Sequence, residues 1–254
     1  MNRRGYQDNF FRDHPKIQDL NRRQRKAIKI RFLLENFAKI DLQNSLCLDI
    51  GCSAGYVTQE LAPLFRSIIG IEYDQEALTR VEVPKPFTNT IGFINGDAMA
   101  LPFRDEALDI ILCAQIYEHV PDDTLLAKEM FRVLRPGGMI FFSGPNQAFP
   151  IELHYNLPFL HWLPQYFANA YLRIFGKGDF FYERFRTNRG LRQLFSHFEI
   201  KDITLQVIRF SLDESPNKWI LHSISKLPDW VLKLGLPIVP NFNWLLYKPM
   251  QPPQ

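Results

Sequence analysis

The sequence predicts an α/β fold in which a mostly parallel β-sheet has helices on both faces. Short apolar runs recur through residues 46–143, and most of the gaps between them carry helical patterns, as the strand–helix–strand units of a parallel sheet require. The 254-residue chain is 46% hydrophobic and 22% charged, which is typical of a folded globular protein. At this length a single domain with insertions is the ordinary arrangement, and we predict one.

Composition and charge argue against several classes of protein. The net charge of +3 is too small to indicate a nucleic-acid partner, and no run approaches the roughly 18 uninterrupted apolar residues of a membrane span. No apolar signal core follows Arg3 and Arg4. Cys47, Cys52 and Cys113 lack metal-binding spacing and lie in or beside apolar runs, which favours buried thiols in a reducing compartment. We therefore predict a cytoplasmic protein without a metal site.

The first predicted element is an amphipathic helix over residues 17–37. Its apolar positions follow a helical period, with five basic residues between them: Arg22, Arg23, Arg25, Lys26 and Lys29. We interpret these residues as a solvated basic face. Contact with a membrane surface or with nucleic acid is the alternative.

The next elements alternate between strand and helix. Buried strands are predicted over residues 46–50, 67–71, 92–94, 108–113 and 139–143, and helices over residues 56–65, 75–81 and 122–134. The segment RPGG at residues 135–138 is expected to end the last of these helices, because proline cannot continue a helix and glycine permits the turn into the next strand.

The alternation stops after residue 143. Residues 144–186 are rich in proline and aromatics, and the prolines Pro145, Pro150, Pro158 and Pro164 are expected to prevent any long regular element. A connection of this length usually serves as a lid or a binding wall. A helix over residues 187–197, a strand over 198–207, a helix over 215–234 and a strand near 243–247 are predicted to follow. The apolar stretch at 227–236 is interpreted as a packing helix, with an interfacial membrane helix as the alternative.

A nucleotide-binding turn is predicted where the first strand ends. Residues 46–56 read LCLDIGCSAGY, an apolar strand that leads through glycines into a helix, where a backbone can approach a ligand closely. Glu72 ends the second strand, at the distance where an acid accepts hydrogen bonds from ribose hydroxyls. A dinucleotide fingerprint needs glycines at 51, 53 and 56, but the chain has Gly51, Ser53 and Tyr56. The glycines at 51 and 55 instead match the spacing G-x-G-x-G with Ser53 at its centre.

Five segments in order resemble class I (Rossmann-like) S-adenosylmethionine-dependent methyltransferases of the group called methyltransferase type 11, which acts on small molecules and lipids. They are residues 46–56, GIEYD at 70–74, NGDA at 95–98 with LPF at 101–103, residues 108–120, and residues 133–141. The resemblance implies a seven-stranded, mostly parallel sheet with an antiparallel last strand and an insertion after the fifth strand. It also implies S-adenosyl-L-methionine as cofactor, bound at the carboxyl ends of the strands, where open α/β sheets generally bind ligands.

The resemblance assigns roles to individual positions. It implies that Glu72 holds the ribose, that Asp97 accepts from the adenine amino group beside the backbone of Ala98, and that Asp49 lies near the methionyl end. The cofactor-binding residues predicted in this way are Asp49, Gly51, Cys52, Ser53, Gly55, Glu72, Tyr73, Asp97, Ala98, Ala114 and Gln115. The single domain 1–254 then divides into a leading helical segment (1–40), a cofactor-binding core (41–144), an acceptor-side insertion (145–186) and a C-terminal part (187–254).

Three residues are candidates for catalysis. Glu152 and His154 alternate on an extended segment and face the same side, so the carboxylate could orient the imidazole as a base. The alternative is that this pair pins the insertion to the domain. His119 begins the helix after the fourth strand, where a capping or packing role is the alternative to a base.

The predicted function is methyl transfer to an oxygen or carbon of a small, partly hydrophobic metabolite or lipid, with peripheral membrane contact as an open possibility. A nucleic-acid acceptor is disfavoured because residues 113–116 read CAQI, which is unlike the Asn-Pro-Pro-Tyr motif of nucleic-acid amino methyltransferases. Two alternatives from other classes are an NAD(P)-dependent oxidoreductase and a regulatory module that binds S-adenosylmethionine without chemistry.

Overall fold

The computed structural model describes residues 10–13, 18–83, 90–213 and 228–250. Its strands in these residues are β1 (Leu46–Ile50), β2 (Ser67–Glu72), β3 (Ile91–Asn95), β4 (Leu108–Ala114), β5 (Leu134–Pro145), β6 (Ile151–Glu152), β7 (Leu157–Pro158), β8 (Glu199–Asp202) and β9 (Asn241–Tyr247). Its helices are α1 (Phe10–Asp13), α2 (Leu20–Phe37), α3 (Tyr56–Leu61), α4 (Gln75–Leu78), α5 (Asp123–Val133), α6 (Gln165–Ile174), α7 (Asn188–Leu194), α8 (Thr204–Asp213) and α9 (Asp229–Gly235).

Seven of these strands form one sheet in the order β3-β2-β1-β4-β5-β9-β8. The strands β1 to β5 are parallel, whereas β9 runs antiparallel to both of its neighbours. The strands β6 and β7 form a separate antiparallel pair inside the insertion. The predicted α/β architecture, with its mostly parallel sheet and antiparallel last strand, is confirmed.

Helices cover both faces of the sheet, which explains why the central strands read as continuous apolar runs. On one face α2, α3 and α8 pack against side chains such as Cys47 and Leu112. On the other face α5 and α7 pack against side chains such as Leu48 and Ile111. All three cysteines of the chain are buried thiols.

Three sequence predictions about local structure are wrong. The strand predicted over 198–207 ends at Asp202, whose carboxylate accepts the backbone N–H of Thr204 at 2.9 Å and starts α8 instead. The strand β5 begins at Leu134 and continues through the RPGG segment, which pairs with the chain after β9 through Gly137 N–H to Lys248 O at 2.8 Å. The insertion contains the ten-residue helix α6, since Pro164 lies just before the helix, where proline is tolerated.

The C-terminal region is described in part. Of the helix predicted over 215–234, residues 215–227 lie outside the described residues, and α9 forms the remainder. None of the helices in the described parts of the chain is long and apolar enough to cross a membrane.

Candidate functional site

A cavity of about 730 Å³ lies at the carboxyl ends of β1, β2 and β4, where ligands bind in open α/β sheets. Its size is within the usual range of small-molecule sites, about 300–1,000 Å³. The residues predicted from the sequence that line it are Gly51, Ser53, Glu72, Tyr73, Asp97, Ala98, Ala114, Gln115, His119 and His154. Four further predicted residues, Asp49, Cys52, Gly55 and Glu152, are not among the lining residues.

The turn after β1 contains three residues with a left-handed backbone conformation, and a hydrogen bond links it to β2. Gly51, Ser53 and Gly55 have φ of +69°, +53° and +73°, a region that glycine adopts without strain. The N–H of Gly51 donates to the carbonyl of Ile71 at 2.8 Å. A Cβ at Gly51 would lie 2.1 Å from Cδ1 of Ile116, so both the backbone and the space favour glycine.

Glu72 holds this turn against the end of β2. Its Oε2 accepts the N–H of Ser53 at 2.8 Å, and its Oε1 accepts the N–H groups of Tyr73 and Asp74 at 2.8 and 3.0 Å. Burial raises the pKa of the carboxyl group, and the three N–H groups oppose that shift. Glu72 therefore shapes the cavity wall and presents a carboxylate to it.

Asp97 lies on the opposite part of this wall, in the turn after β3. Its Oδ1 accepts the N–H of Met99 at 2.9 Å, which orders the turn that carries Asp97 and Ala98 into the cavity wall.

Asp49 lies beneath the turn. Its Oδ2 accepts the hydroxyl of Thr58 on α3 at 2.6 Å, and burial raises the pKa of the carboxyl group. Cys52 is also buried, and its Sγ is 2.7 Å from the position that a Cβ on Gly70 would take. The buried side chains of Asp49 and Cys52 therefore pack under the turn that lines the cavity and help to hold its conformation.

Basic side chains of α2 form a wall that the sequence interpretation missed. Arg22, Arg23 and Lys26 line the cavity, and Nζ of Lys26 donates to the carbonyl of Ala114 at 3.0 Å. Burial and the charge of Arg23 together lower the pKa of Lys26 to about 8, against the opposing charge of Asp49. The interpretation as a solvated face is therefore wrong for Arg23 and Lys26, whereas Arg22 and Arg25 are exposed.

The helical spacing contained a signal for this arrangement. Positions 23 and 26 continue, towards the start of α2, the stripe that packs Ala27, Ile30 and Leu34 into the core. Side chains on that stripe must face the sheet, and at the start of the helix they reach the ends of the strands.

The insertion supplies the outer part of the cavity. Its wall there is mostly apolar or aromatic and contains Phe149, Ile151, Leu153, His154, Tyr155 and Phe185. Gln115 follows β4 with φ of +66°, and its side-chain amide donates to Oδ1 of Asn241 at 3.3 Å. Both residues lie at the junction between the strand ends and the insertion.

Glu152 and His154 form the pair that the sequence predicted. Nδ1 of His154 lies 2.6 Å from Oε1 of Glu152, and Glu152 also accepts the backbone N–H groups of His154 and Tyr155 at 3.1 and 2.7 Å. Burial works against a charged imidazole here. The hydrogen bond to Glu152 and the charges of Glu152, Glu183 and Glu118 outweigh burial and raise the pKa of His154 to about 9. These contacts favour the imidazolium form of His154.

His119 lies beside this pair, together with two acids that the sequence analysis did not identify. The rings of His119 and His154 are 5.0 Å apart at a steep angle. Glu118 has 1% of its surface exposed, and burial raises its pKa to about 7, with the charge of Glu183 adding to that shift. Glu183 is buried too, and burial raises its pKa. Glu118 is adjacent to His119 in the sequence, and Glu183 lies in the insertion. No sequence spacing known for a functional site links residues 118, 152 and 183.

Comparison with known proteins agrees with the fold and the turn motifs. Residues 48–142 match the family model described as "Methyltransferase domain". A probable S-adenosylmethionine-dependent methyltransferase of Mycolicibacterium smegmatis is 34% identical over 100 residues, which are 39% of this chain and 38% of that protein. The match thus spans less than two fifths of the relative.

Two solved structures share the overall fold. A chain from the complex between the Haloferax volcanii Trm112 methyltransferase activator and a methyltransferase aligns with a TM-score of 0.58 at 14% identity, over 95% of this chain and 98% of that one. Geranyl diphosphate C-methyltransferase from Streptomyces coelicolor, solved with Mg²⁺, geranyl diphosphate and S-adenosyl-L-homocysteine, aligns with a TM-score of 0.55 at 14% identity, over 89% and 79% of the two chains. Residues 48–142 of the chain are thus similar to a methyltransferase domain, and the relative that matches this part of the chain is a probable S-adenosylmethionine-dependent methyltransferase.

Proposed function

We propose that the chain transfers a methyl group from S-adenosylmethionine to an oxygen or carbon atom of a small, partly hydrophobic acceptor. The observation that carries this proposal is the single cavity shared by the predicted cofactor residues and the aromatic insertion. Donor and acceptor bound in one cavity are held close together, and proximity and alignment are the main requirements of a displacement at a methyl group.

The donor part of the cavity suits S-adenosylmethionine, which supplies a sulfonium-bound methyl group when bound. Glu72 and Asp97 present carboxylates for the ribose hydroxyls and the adenine amino group. We propose that Arg23 and Lys26 hold the carboxylate at the other end of the cofactor. Their pKa values are lowered by burial, which means that an anion at this position would stabilise their charged forms.

The acceptor part is walled by the insertion. Phe149, Leu153 and Phe185 offer apolar contacts that would exclude water from an aromatic or aliphatic acceptor. His154 brings a positive charge to the same wall, oriented by Glu152. As an imidazolium it suits holding an acceptor oxyanion, whereas removal of a proton requires its neutral form. We retain His119 as the second candidate to contact the acceptor.

Turnover of radiolabelled S-adenosylmethionine against a panel of phenolic, isoprenoid and fatty acceptors tests the proposal, with a pure nucleic-acid sample as the negative arm. Labelled product from at least one apolar acceptor is the expected result. Calorimetry with S-adenosylmethionine and NAD(P) side by side tests the donor. Tight donor binding with no labelled product from any acceptor class would favour the non-catalytic alternative.

We also propose that the insertion touches a membrane surface. Tyr166 and Phe167 are adjacent on α6, and Ile174 follows about two turns later. These side chains are 75%, 58% and 78% exposed and form an apolar surface of the kind found in membrane-contacting helices. Arg173 and Lys177 add positive charge at the end of α6, which suits anionic headgroups. Lys177 also lines the cavity, so this face adjoins the acceptor's entrance.

Co-sedimentation with vesicles tests the membrane contact. Vesicles containing phosphatidylglycerol should retain the protein better than neutral ones, and Phe167→Ser with Ile174→Ser should abolish retention. Leu125→Ser, which removes an exposed apolar residue on α5, is the matched control. Equal retention of all variants would contradict the contact. A cytoplasmic location is proposed along with it, supported by the three buried thiols.

A further inference from the structure

The acceptor end of the cavity contains a cluster of carboxylate and imidazole groups with the spacing of a metal site. One carboxylate oxygen of Glu118 and one ring nitrogen each of His119 and His154 lie within 4.8 Å of one another. Ligand atoms bound to one zinc-sized ion at about 2.0–2.2 Å in tetrahedral geometry are about 3.3–3.6 Å apart. Side-chain movements of about an ångström would therefore bring all three atoms onto a single ion.

Glu118 provides an independent reason to expect a cation. The residue is almost fully buried, and neither of its carboxylate oxygens has a hydrogen-bond partner. Nε2 of His119 lies 4.0 Å from Oε1 of Glu118, which is too far for a hydrogen bond. Buried carboxylates are normally hydrogen-bonded, paired with a cation or bound to a metal. The carboxylate of Glu118 has no hydrogen bond to any of the described residues.

The orientation of His154 is that of a metal ligand. Its Nδ1 is held at 2.6 Å by Glu152, whose other oxygen is fixed by the N–H of Tyr155. The other ring nitrogen, Nε2, lies on the opposite side of the ring from Glu152 and is the atom that we assign to the metal. A histidine that donates from one nitrogen to a carboxylate and binds metal through the other is a recurrent arrangement, in which the carboxylate fixes the ring and raises its basicity.

The charges of the surrounding groups also favour a cation. Three buried carboxyl groups, on Glu118, Glu152 and Glu183, surround two imidazoles. A dication at the centre would neutralise two of these groups.

We propose that Glu118, His119 and His154 bind a divalent transition-metal ion, with Glu152 as the positioning residue behind His154. Two imidazoles and one carboxylate suit Zn²⁺, Mn²⁺, Co²⁺ or Fe²⁺ better than Mg²⁺ or Ca²⁺, which prefer oxygen ligands. His119 and His154 both line the cavity, so the remaining coordination positions face the acceptor. If the proposed methyl transfer also holds, the acceptor atom is an oxyanion that coordinates this ion.

Metal binding to the whole purified chain, without methyl donor or acceptor, tests the site. Titrations with Zn²⁺, Mn²⁺ and Co²⁺ should show one saturable site, and bound Co²⁺ should absorb visible light more strongly than aqueous Co²⁺. Glu118→Gln and His154→Gln should each weaken binding at least about tenfold. Glu152→Gln should weaken it about 10–100-fold with the stoichiometry unchanged, because it acts through the orientation of His154. His197→Gln removes an exposed histidine outside the cluster and should change nothing.

Three outcomes would overturn the proposal: no saturable site for any of the three ions up to millimolar concentration, unchanged affinity in both Glu118→Gln and His154→Gln, or an equal loss in His197→Gln. Thermal melts of each variant show whether it is folded. If Glu118→Gln does not fold, His154→Gln and the Co²⁺ spectrum of the unmodified chain decide the matter. Because no methyl donor is present, failure of the proposed methyl transfer would leave this result unaffected.

Discussion

Replacing Glu72 with glutamine is expected to lower both the free energy of unfolding, by destabilising the turn after β1, and the affinity for the cofactor. The carboxylate accepts three backbone N–H groups, from Ser53, Tyr73 and Asp74. Glutamine has nearly the same shape but only one acceptor oxygen. Its NH₂ group must therefore face at least one of these N–H donors, and a donor cannot accept.

The expected loss of stability follows from these contacts. A hydrogen bond to a charged group contributes about 1.5–3 kcal/mol, and the substitution removes at least one and turns the others into weaker neutral bonds. Burial raises the pKa of Glu72, so removing its charge recovers part of the desolvation penalty. We expect a net loss of about 2–3 kcal/mol, or roughly 4–10 °C in the melting temperature of a domain of this size. Loss of one ribose contact, about 1.4 kcal/mol, adds a tenfold loss of donor affinity.

Urea denaturation and calorimetry with S-adenosylmethionine measure the two effects. The matched control is Glu60→Gln, the same chemical change at an exposed position on α3, which should alter stability by less than about 0.5 kcal/mol. If Glu72→Gln behaves like this control in both measurements, then Glu72 neither holds the turn nor contacts the donor, and the assignment of the cofactor site is wrong.

Three further predictions test other parts of the structure. Lys26→Met should weaken donor binding about tenfold or more in calorimetry. The same change should also flatten the pH dependence of the free energy of unfolding, because the pKa of Lys26 is lowered from 10.5 to about 8 in the folded chain. Between these values the unfolded chain binds a proton that the folded chain lacks, so this contribution to stability rises with pH in urea titrations of the unmodified chain. Tyr117→Phe should lower the free energy of unfolding by about 1–3 kcal/mol, since the hydroxyl donates to Pro145 O at 2.6 Å and accepts the N–H of Arg186 at 3.1 Å; a loss below 0.5 kcal/mol would contradict this. His154→Gln should lower turnover and leave donor affinity within about twofold, whereas loss of folding would support a purely structural pair.

The strands were predictable because they are short, buried and apolar, and the predicted bounds of β1 agree with the structure at both ends. The prediction of a strand over 198–207 was wrong because Ile203, Leu205 and Val207 alternate with polar residues as in a strand, although a helix can bury the same three side chains. The cap that Asp202 provides for α8 decided between them, and it depends on one side-chain hydrogen bond. Pro164 was similarly read as a helix breaker, although at the start of α6 it is compatible with a helix.

The sequence by itself determined the α/β class, the glycine turn after β1 and the acids that follow β2 and β3, because these depend on contacts local to each strand end. Only the tertiary structure decided which basic residues of α2 face the cavity, because their direction depends on how α2 packs against α3 and the sheet. It also decided that Glu118, His119 and His154 meet, with Glu183 beside them. These groups come from the end of β4 and from two parts of the insertion, and no local spacing links segments that the fold alone brings together.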